Sequence, residues 1–136
     1  MYTSDETFFT EEHNIYRESL RKFVETEMAP YADEWEKNHF FPNEIFRKMG
    51  KLGFLGARFS EDVGGLGGDV WYTAVLCEEL PRSRSAGTTM GILVQTDMAT
   101  PIIDEIGTDE QKALFLKPAI QGEKIAALGI TEPGAG

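Results

Sequence analysis

Apolar positions recur at helical spacing along most of the chain. Tyr16, Leu20, Phe23, Val24 and Met28 follow at intervals of four, three, one and four, with Arg17, Glu18, Arg21 and Glu25 outside the stripe. That is the pattern of a helix burying one face. Thr10 stands before Glu11 and Glu12, a capping hydroxyl ahead of two carboxylates that suit the positive end of a helix dipole, so a helix is expected to start there. The ring of Pro30 opposes the preceding turn and predicts a bend or restart, followed by a short helix from Tyr31 to Lys37 with Trp35 turned inward. Pro42, Ile45, Phe46 and Met49 ahead of Gly50 and Gly53 predict another short helix with a glycine-mediated exit. From Gly53 to Phe59 the chain is expected to be irregular or briefly extended.

Tyr72, Val75, Leu76 and Leu80 form the next stripe, ended by Pro81. Glu79 lies beside it and is expected to be a partly buried ion-pair partner. Between Ala86 and Thr100 the only charge is Asp97, which predicts a helix buried almost all round and restarted at Pro101. From the residues alone Met90, Gln95 and Met98 are core residues first, and would also suit a pocket wall. Thr108 and Gln111 have the spacing of a capping box. A helix from Asp109 to Leu116 should follow, with Leu114 and Phe115 inward and Pro118 ending it or starting another short turn. Ile125 to Ile130 is a continuous apolar run, predicted to be a strand buried on both faces. Such a strand needs pairing partners, so a truncated protein is expected, with those partners outside the 136 residues.

Composition narrows the function. The net charge is −10, from 23 acidic and 13 basic residues. It is spread evenly, with 8 basic and 13 acidic residues in positions 1–68 and 5 and 10 in positions 69–136. Without a basic cluster, counterion release cannot drive nucleic-acid binding, and an anionic membrane offers no attraction. The acidic start, Met1 to Glu6, lacks the pattern of a signal peptide, and no run reaches a transmembrane length of about 18 apolar residues. A cytoplasmic protein is expected. The single cysteine, Cys77, permits no internal disulfide and no cysteine-built zinc site. His13 and His39 are the only histidines, on separate elements, where packing or surface roles are expected. No metal site, hydrolytic triad or catalytic residue is predicted. The Asp62 to Asp69 glycine cluster lacks the third glycine of a dinucleotide fingerprint, because Val70 occupies its place, and it is expected to be a flexible turn.

The segment Ile130-Thr131-Glu132-Pro133-Gly134-Ala135-Gly136 resembles the T-E-P-G-A-G-S-D signature of the flavin-dependent acyl-CoA dehydrogenases, cut before its Ser-Asp. Met49 to Gly56, Gly64 to Asp69, Cys77 to Leu80 and Gly107 to Lys112 match further family segments in the same order. The resemblance implies a mainly α chain: an N-terminal helical bundle domain at 1–122, then the first strand of a β domain at 123–136. It implies oxidation of an acyl-CoA thioester to a trans-2-enoyl-CoA by a glutamate base, with FAD taking the hydride and the base outside this chain, so that the fragment alone is inactive. It also implies flavin contacts at Leu128, Ile130 and Thr131, and an acyl chain bordered by Met90, Val94, Gln95 and Met98. An electron-transferring flavoprotein as acceptor and a homotetrameric parent belong to the same expectation. The alternatives are a flavin oxidase on the same fold, or a stand-alone helical interaction module pairing through residues 125 to 130.

Overall fold

The computed structural model describes residues 8–135. The acidic start, Met1 to Glu6, and the closing Gly136 of the signature lie outside the described residues. Helix α1 spans Glu11–Phe23 and begins where the sequence places it. Thr10 accepts from the His13 N–H, and the His13 ring accepts in return from the Thr10 N–H at 2.9 Å. The box partner is therefore an imidazole, and no carboxylate is used. The other ring nitrogen of His13 bonds Asp69 Oδ1 at 2.9 Å, and Asp69 caps α4 (Val70–Glu79) by accepting from the Trp71 N–H. One buried ring thus ties the starts of two helices together, which is the packing role expected of it.

The chain after α1 bends before its proline. Val24–Met28 forms a π turn, and a single 3-10 turn at Ala29–Tyr31 absorbs Pro30 before α2, Ala32–Asn38. Helix α3 spans Glu44–Lys51. Leu20, Val24 and Met28 meet Phe46, Met49, Phe54, Val75, Leu76, Leu80 and Ile92 in one core, with Trp35 at its margin. The glycine cluster is a turn, as expected, and part of it is closely packed. Gly64 and Gly67 sit at positive φ, and a Cβ on Gly65 would overlap the Phe59 carbonyl. Glycine serves at 64 and 67 for the left-handed backbone and at 65 for close backbone approach.

Helices α5 (Ala86–Leu93) and α6 (Thr100–Ile106) flank a second π turn, Val94–Ala99. This run is not buried almost all round as expected, since Met90, Met98 and Ile102 are exposed. The capping box at Thr108 and Gln111 forms as predicted at the start of α7, Asp109–Gln111. A third π turn, Lys112–Leu116, then leads into α8, Lys117–Ile120. Leu114 and Phe115 were expected inside and are outside, about half exposed, while Leu116, Ala119 and Ile120 are buried. The wide turn carries more residues per revolution and so shifts the apolar face toward its end. The predicted strand at Ile125 to Ile130 is absent: among the described residues the segment has no regular structure and no pairing partner. A ladder takes two strands, and helices supply none.

Glu79 locks α1 to α4. It is 1% exposed and accepts from Arg21 Nε at 2.8 Å and Nη2 at 2.7 Å, and from Arg17 Nη1 at 3.1 Å, with Arg82 at 2.9 Å. Burial alone would push its carboxyl up. The hydrogen bonds from Arg21 and Arg17 outweigh that, and the net shift is below the ordinary value of 4.5. A carboxylate with a depressed folded pKa contributes stability above its unfolded value and loses it as pH falls through the folded one. Glu79→Gln should therefore cost about 3 kcal/mol at neutral pH, near the low end for a broken buried pair because two of the arginines are half solvated. It should also flatten the loss of stability below pH 4.5 relative to wild type. Urea unfolding at pH 7 and pH 4 checks both; an unchanged acid slope would contradict this account of the carboxylate.

Candidate functional site

The candidate residues fall on two neighbouring pieces of chain, the α5–π–α6 run and the segment after α8. Ser85 caps α5, accepting from the Thr88 N–H at 3.1 Å, and its hydroxyl donates to Glu36 Oε1 at 2.6 Å. Gly91 lets the Phe41 ring lie where a Cβ would sit within 3.3 Å. Just past the π turn, Thr100 Oγ1 donates to the Gln95 carbonyl at 2.5 Å. The Thr100 N–H bonds the same carbonyl, so the end of the wide turn is held twice. Met90 and Met98 stand on the outer surface with Val94 half-buried between them, each four residues from the next.

Gln95 points the other way. Its Nε2 donates to the Ala119 carbonyl at 2.9 Å and its Oε1 accepts the Ala126 N–H at 3.0 Å. The other three expected acyl-contact residues share a face, while Gln95 stands behind it and reaches the second piece of chain.

That second piece leaves the helical body at a backbone crossing. Gly122 has φ of 74°, and a Cβ there would overlap the Phe46 carbonyl; one on Gly50 would overlap the Gln121 carbonyl. Helix α3 and the end of α8 therefore meet main chain to main chain, which only glycine allows. The N–H groups of Glu123 and Lys124 bond the Pro118 carbonyl at 2.9 and 3.2 Å. Lys124 Nζ donates to the Leu114 carbonyl at 3.0 Å and stands 5.5 Å from the Phe115 ring centre. From 127 to 131 the chain makes no backbone hydrogen bond among the described residues, and Leu128, Ile130 and Thr131 are exposed. Reciprocal bonds between Glu132 and Ala135, at 2.8 and 3.2 Å, then close a tight turn.

The remaining chemistry is sparse. Among the described residues no group of three or more His, Cys, Asp or Glu could hold a metal ion. No helix of the described residues is long and apolar enough to cross a membrane. His39 is exposed at the left-handed end of α2, far in the fold from the capping role of His13. Two features had no sequence signal because both join distant elements. One is the Arg58–Asp97 ion pair at 3.5 Å, with Thr96 Oγ1 donating to Asp97 Oδ2 at 2.6 Å. The other is a cleft of about 340 Å³ between Trp35, Glu36, Phe41, Ser85 and Gly87.

The family profile described as "Acyl-CoA dehydrogenase, N-terminal domain" matches residues 10–123. The chain belongs to the acyl-CoA dehydrogenase family. It is 43% identical to the long-chain specific acyl-CoA dehydrogenase, mitochondrial, of Rattus norvegicus, over 94% of this chain and 29% of that protein. It is 44% identical to the short-chain specific acyl-CoA dehydrogenase of Clostridium acetobutylicum, over 93% of this chain and 33% of that one. The solved structure of an acyl-CoA dehydrogenase complexed with FAD from Bacillus anthracis superposes with a TM-score of 0.86 at 29% identity, covering 99% of this chain and 22% of that one. The chain thus spans about a third of the length of the curated relatives it matches.

Because Leu128 and Thr131 are exposed, Leu128→Ser and Thr131→Ala should each change unfolding free energy by less than about 0.5 kcal/mol. Chemical denaturation checks this; a loss above about 1 kcal/mol would assign these side chains to the fold instead of to a ligand.

Proposed function

We propose that this chain is the N-terminal helical domain, residues 1–122, of a flavoenzyme that oxidises the α–β bond of an acyl-CoA thioester to a trans-2-enoyl-CoA, with residues 123–136 opening the next domain. Family membership over residues 10–123 supports this. The observation that carries it is the exposed, unpaired main chain at 127–131, leading into the T-E-P-G-A-G turn. N–H and C=O groups that make no backbone bond among the described residues are what the polar edge of a flavin ring requires, so the residues present fit the cofactor. FAD supplies the hydride acceptor when bound.

Leu128 and Ile130 offer main-chain groups to the ring, and the Thr131 hydroxyl donates to it. Met90, Val94 and Met98 border the acyl chain, with Gln95 behind them. Flexible methionine side chains suit a wall that must accept different methylene positions. No glutamate of this chain is the base. The one that is buried among the described residues, Glu79, is held ionised by three arginines. The base, the electron-transferring flavoprotein acceptor and a homotetrameric assembly belong to the whole protein. Long-chain and short-chain relatives match at almost equal identity, so acyl length is set elsewhere.

The test is an anaerobic titration of the whole FAD-loaded protein with butyryl-CoA and palmitoyl-CoA. Bleaching of the visible flavin band by at least one of them is expected, and Thr131→Ala should weaken FAD binding about five- to tenfold, the worth of one hydrogen bond. The isolated 136-residue chain should neither retain stoichiometric FAD nor turn over. A whole protein that binds no FAD, or one that reacts with neither thioester, would overturn the proposal.

A further inference from the structure

We propose that Gln95 is a positioning residue: its carboxamide fixes the register of the flavin-contacting segment against the helical run whose Met90, Val94 and Met98 border the acyl chain. The inference rests on the functional reading above for what those two surfaces touch. The bridge itself rests on geometry alone.

Gln95 is 1% exposed, and both ends of its amide are used. Nε2 donates to the Ala119 carbonyl, which also accepts from the Gly122 N–H at 3.0 Å, so both lone pairs of that oxygen are occupied. Oε1 accepts from Ala126. The amide has only one workable orientation, because a flip would set N–H against N–H and oxygen against oxygen. Its own main chain is also held, through Thr100. The side chain is therefore a fixed strut between the π turn, the end of α8 and Ala126.

Ala126 is the last main-chain donor held by the fold before 127–131, where no backbone hydrogen bond is made among the described residues. Leu128 is two residues on, at most about 7 Å along the chain, so the place of Ala126 sets where the flavin-contacting segment starts. The π turn sends Gln95 inward while Val94 and Met98, on either side of it, remain on the outer face. Acyl-facing and flavin-facing groups thus share one mechanical unit. A glutamine that merely filled the core would spread the effect of its loss over the whole fold, whereas a positioning residue concentrates it at 126–131.

Amide exchange by NMR on the 136-residue chain separates these outcomes without flavin. In Gln95→Leu, protection at Ala126 should fall at least tenfold further than at Leu20 in the core of α1. In Gln95→Glu the neutral carboxyl can donate to Ala119 and accept from Ala126, but the ionised form can only accept. Burial holds the introduced carboxyl neutral at pH 5, whereas once ionised at pH 8 it sets oxygen against the Ala119 carbonyl and is driven out of the slot that faces Ala126. Its Ala126 protection, taken relative to Leu20, should therefore approach wild type at pH 5 and resemble Gln95→Leu at pH 8, a pH dependence that simple packing cannot produce. In the whole protein, Gln95→Leu should raise the FAD dissociation constant about tenfold. Equal losses at Ala126 and Leu20, a Glu variant indifferent to pH, or an FAD affinity within twofold of wild type would each overturn the assignment. A wild-type whole protein without FAD would instead sink the flavin reading, and is distinguishable because the exchange arm uses no flavin.

Discussion

A polar group taken out of water must find its partner within the fold, and three such groups, His13, Glu79 and Gln95, set how the pieces of this chain meet. The apolar core brings α1, α3 and α4 together without direction. The polar groups supply the direction. His13 ties the starts of α1 and α4 through Thr10 and Asp69, Glu79 ties the end of α4 to α1 through Arg17 and Arg21, and Gln95 ties the π turn to the exit from α8. Each would be costly to leave unpaired, so each specifies one arrangement rather than many.

The three π turns fit the same view. Each adds a residue's worth of rotation and changes which face of the run meets the body. Val24–Met28 carries the buried stripe of α1 on to Met28 before Pro30 is reached, and Lys112–Leu116 moves burial from Leu114 and Phe115 to Leu116. Val94–Ala99 puts Gln95 inside and Met98 outside. The outer methionine face and the inner strut are two consequences of one irregularity in a helix. Two glycine crossings, Gly50 with Gln121 and Gly122 with Phe46, then hold the exit from α8 at a fixed place.

Much of this was legible in the sequence wherever the signal is local. Both capping starts, the stripe of α1, the inward Trp35 and the ion-paired Glu79 follow from spacing and residue chemistry. The failures came from non-local causes. A wide turn has no periodicity of its own, so the inward face after Thr108 was misplaced. The close approach of Gly65 to the Phe59 carbonyl left no signal because sequence does not show what backbone lies opposite. The apolar run at Ile125 to Ile130 has the composition of a strand, but a strand is a property of two segments, and among the described residues it has none to pair with. For the site, the motif at Thr131 was readable as a resemblance, whereas the Gln95 bridge joins residues 31 apart and leaves no local trace.

The most direct measurement is a crystal structure of the whole protein with FAD and a non-oxidisable acyl-CoA thioether. The account predicts a flavin ring oxygen or nitrogen within hydrogen-bond distance of Thr131 Oγ1, about 3 Å, with main-chain groups of Leu128 and Ile130 at the same ring edge and methylene density against Met90, Val94 and Met98. A flavin bound elsewhere, with 127–131 turned to solvent or paired in a sheet away from the ring, would contradict it.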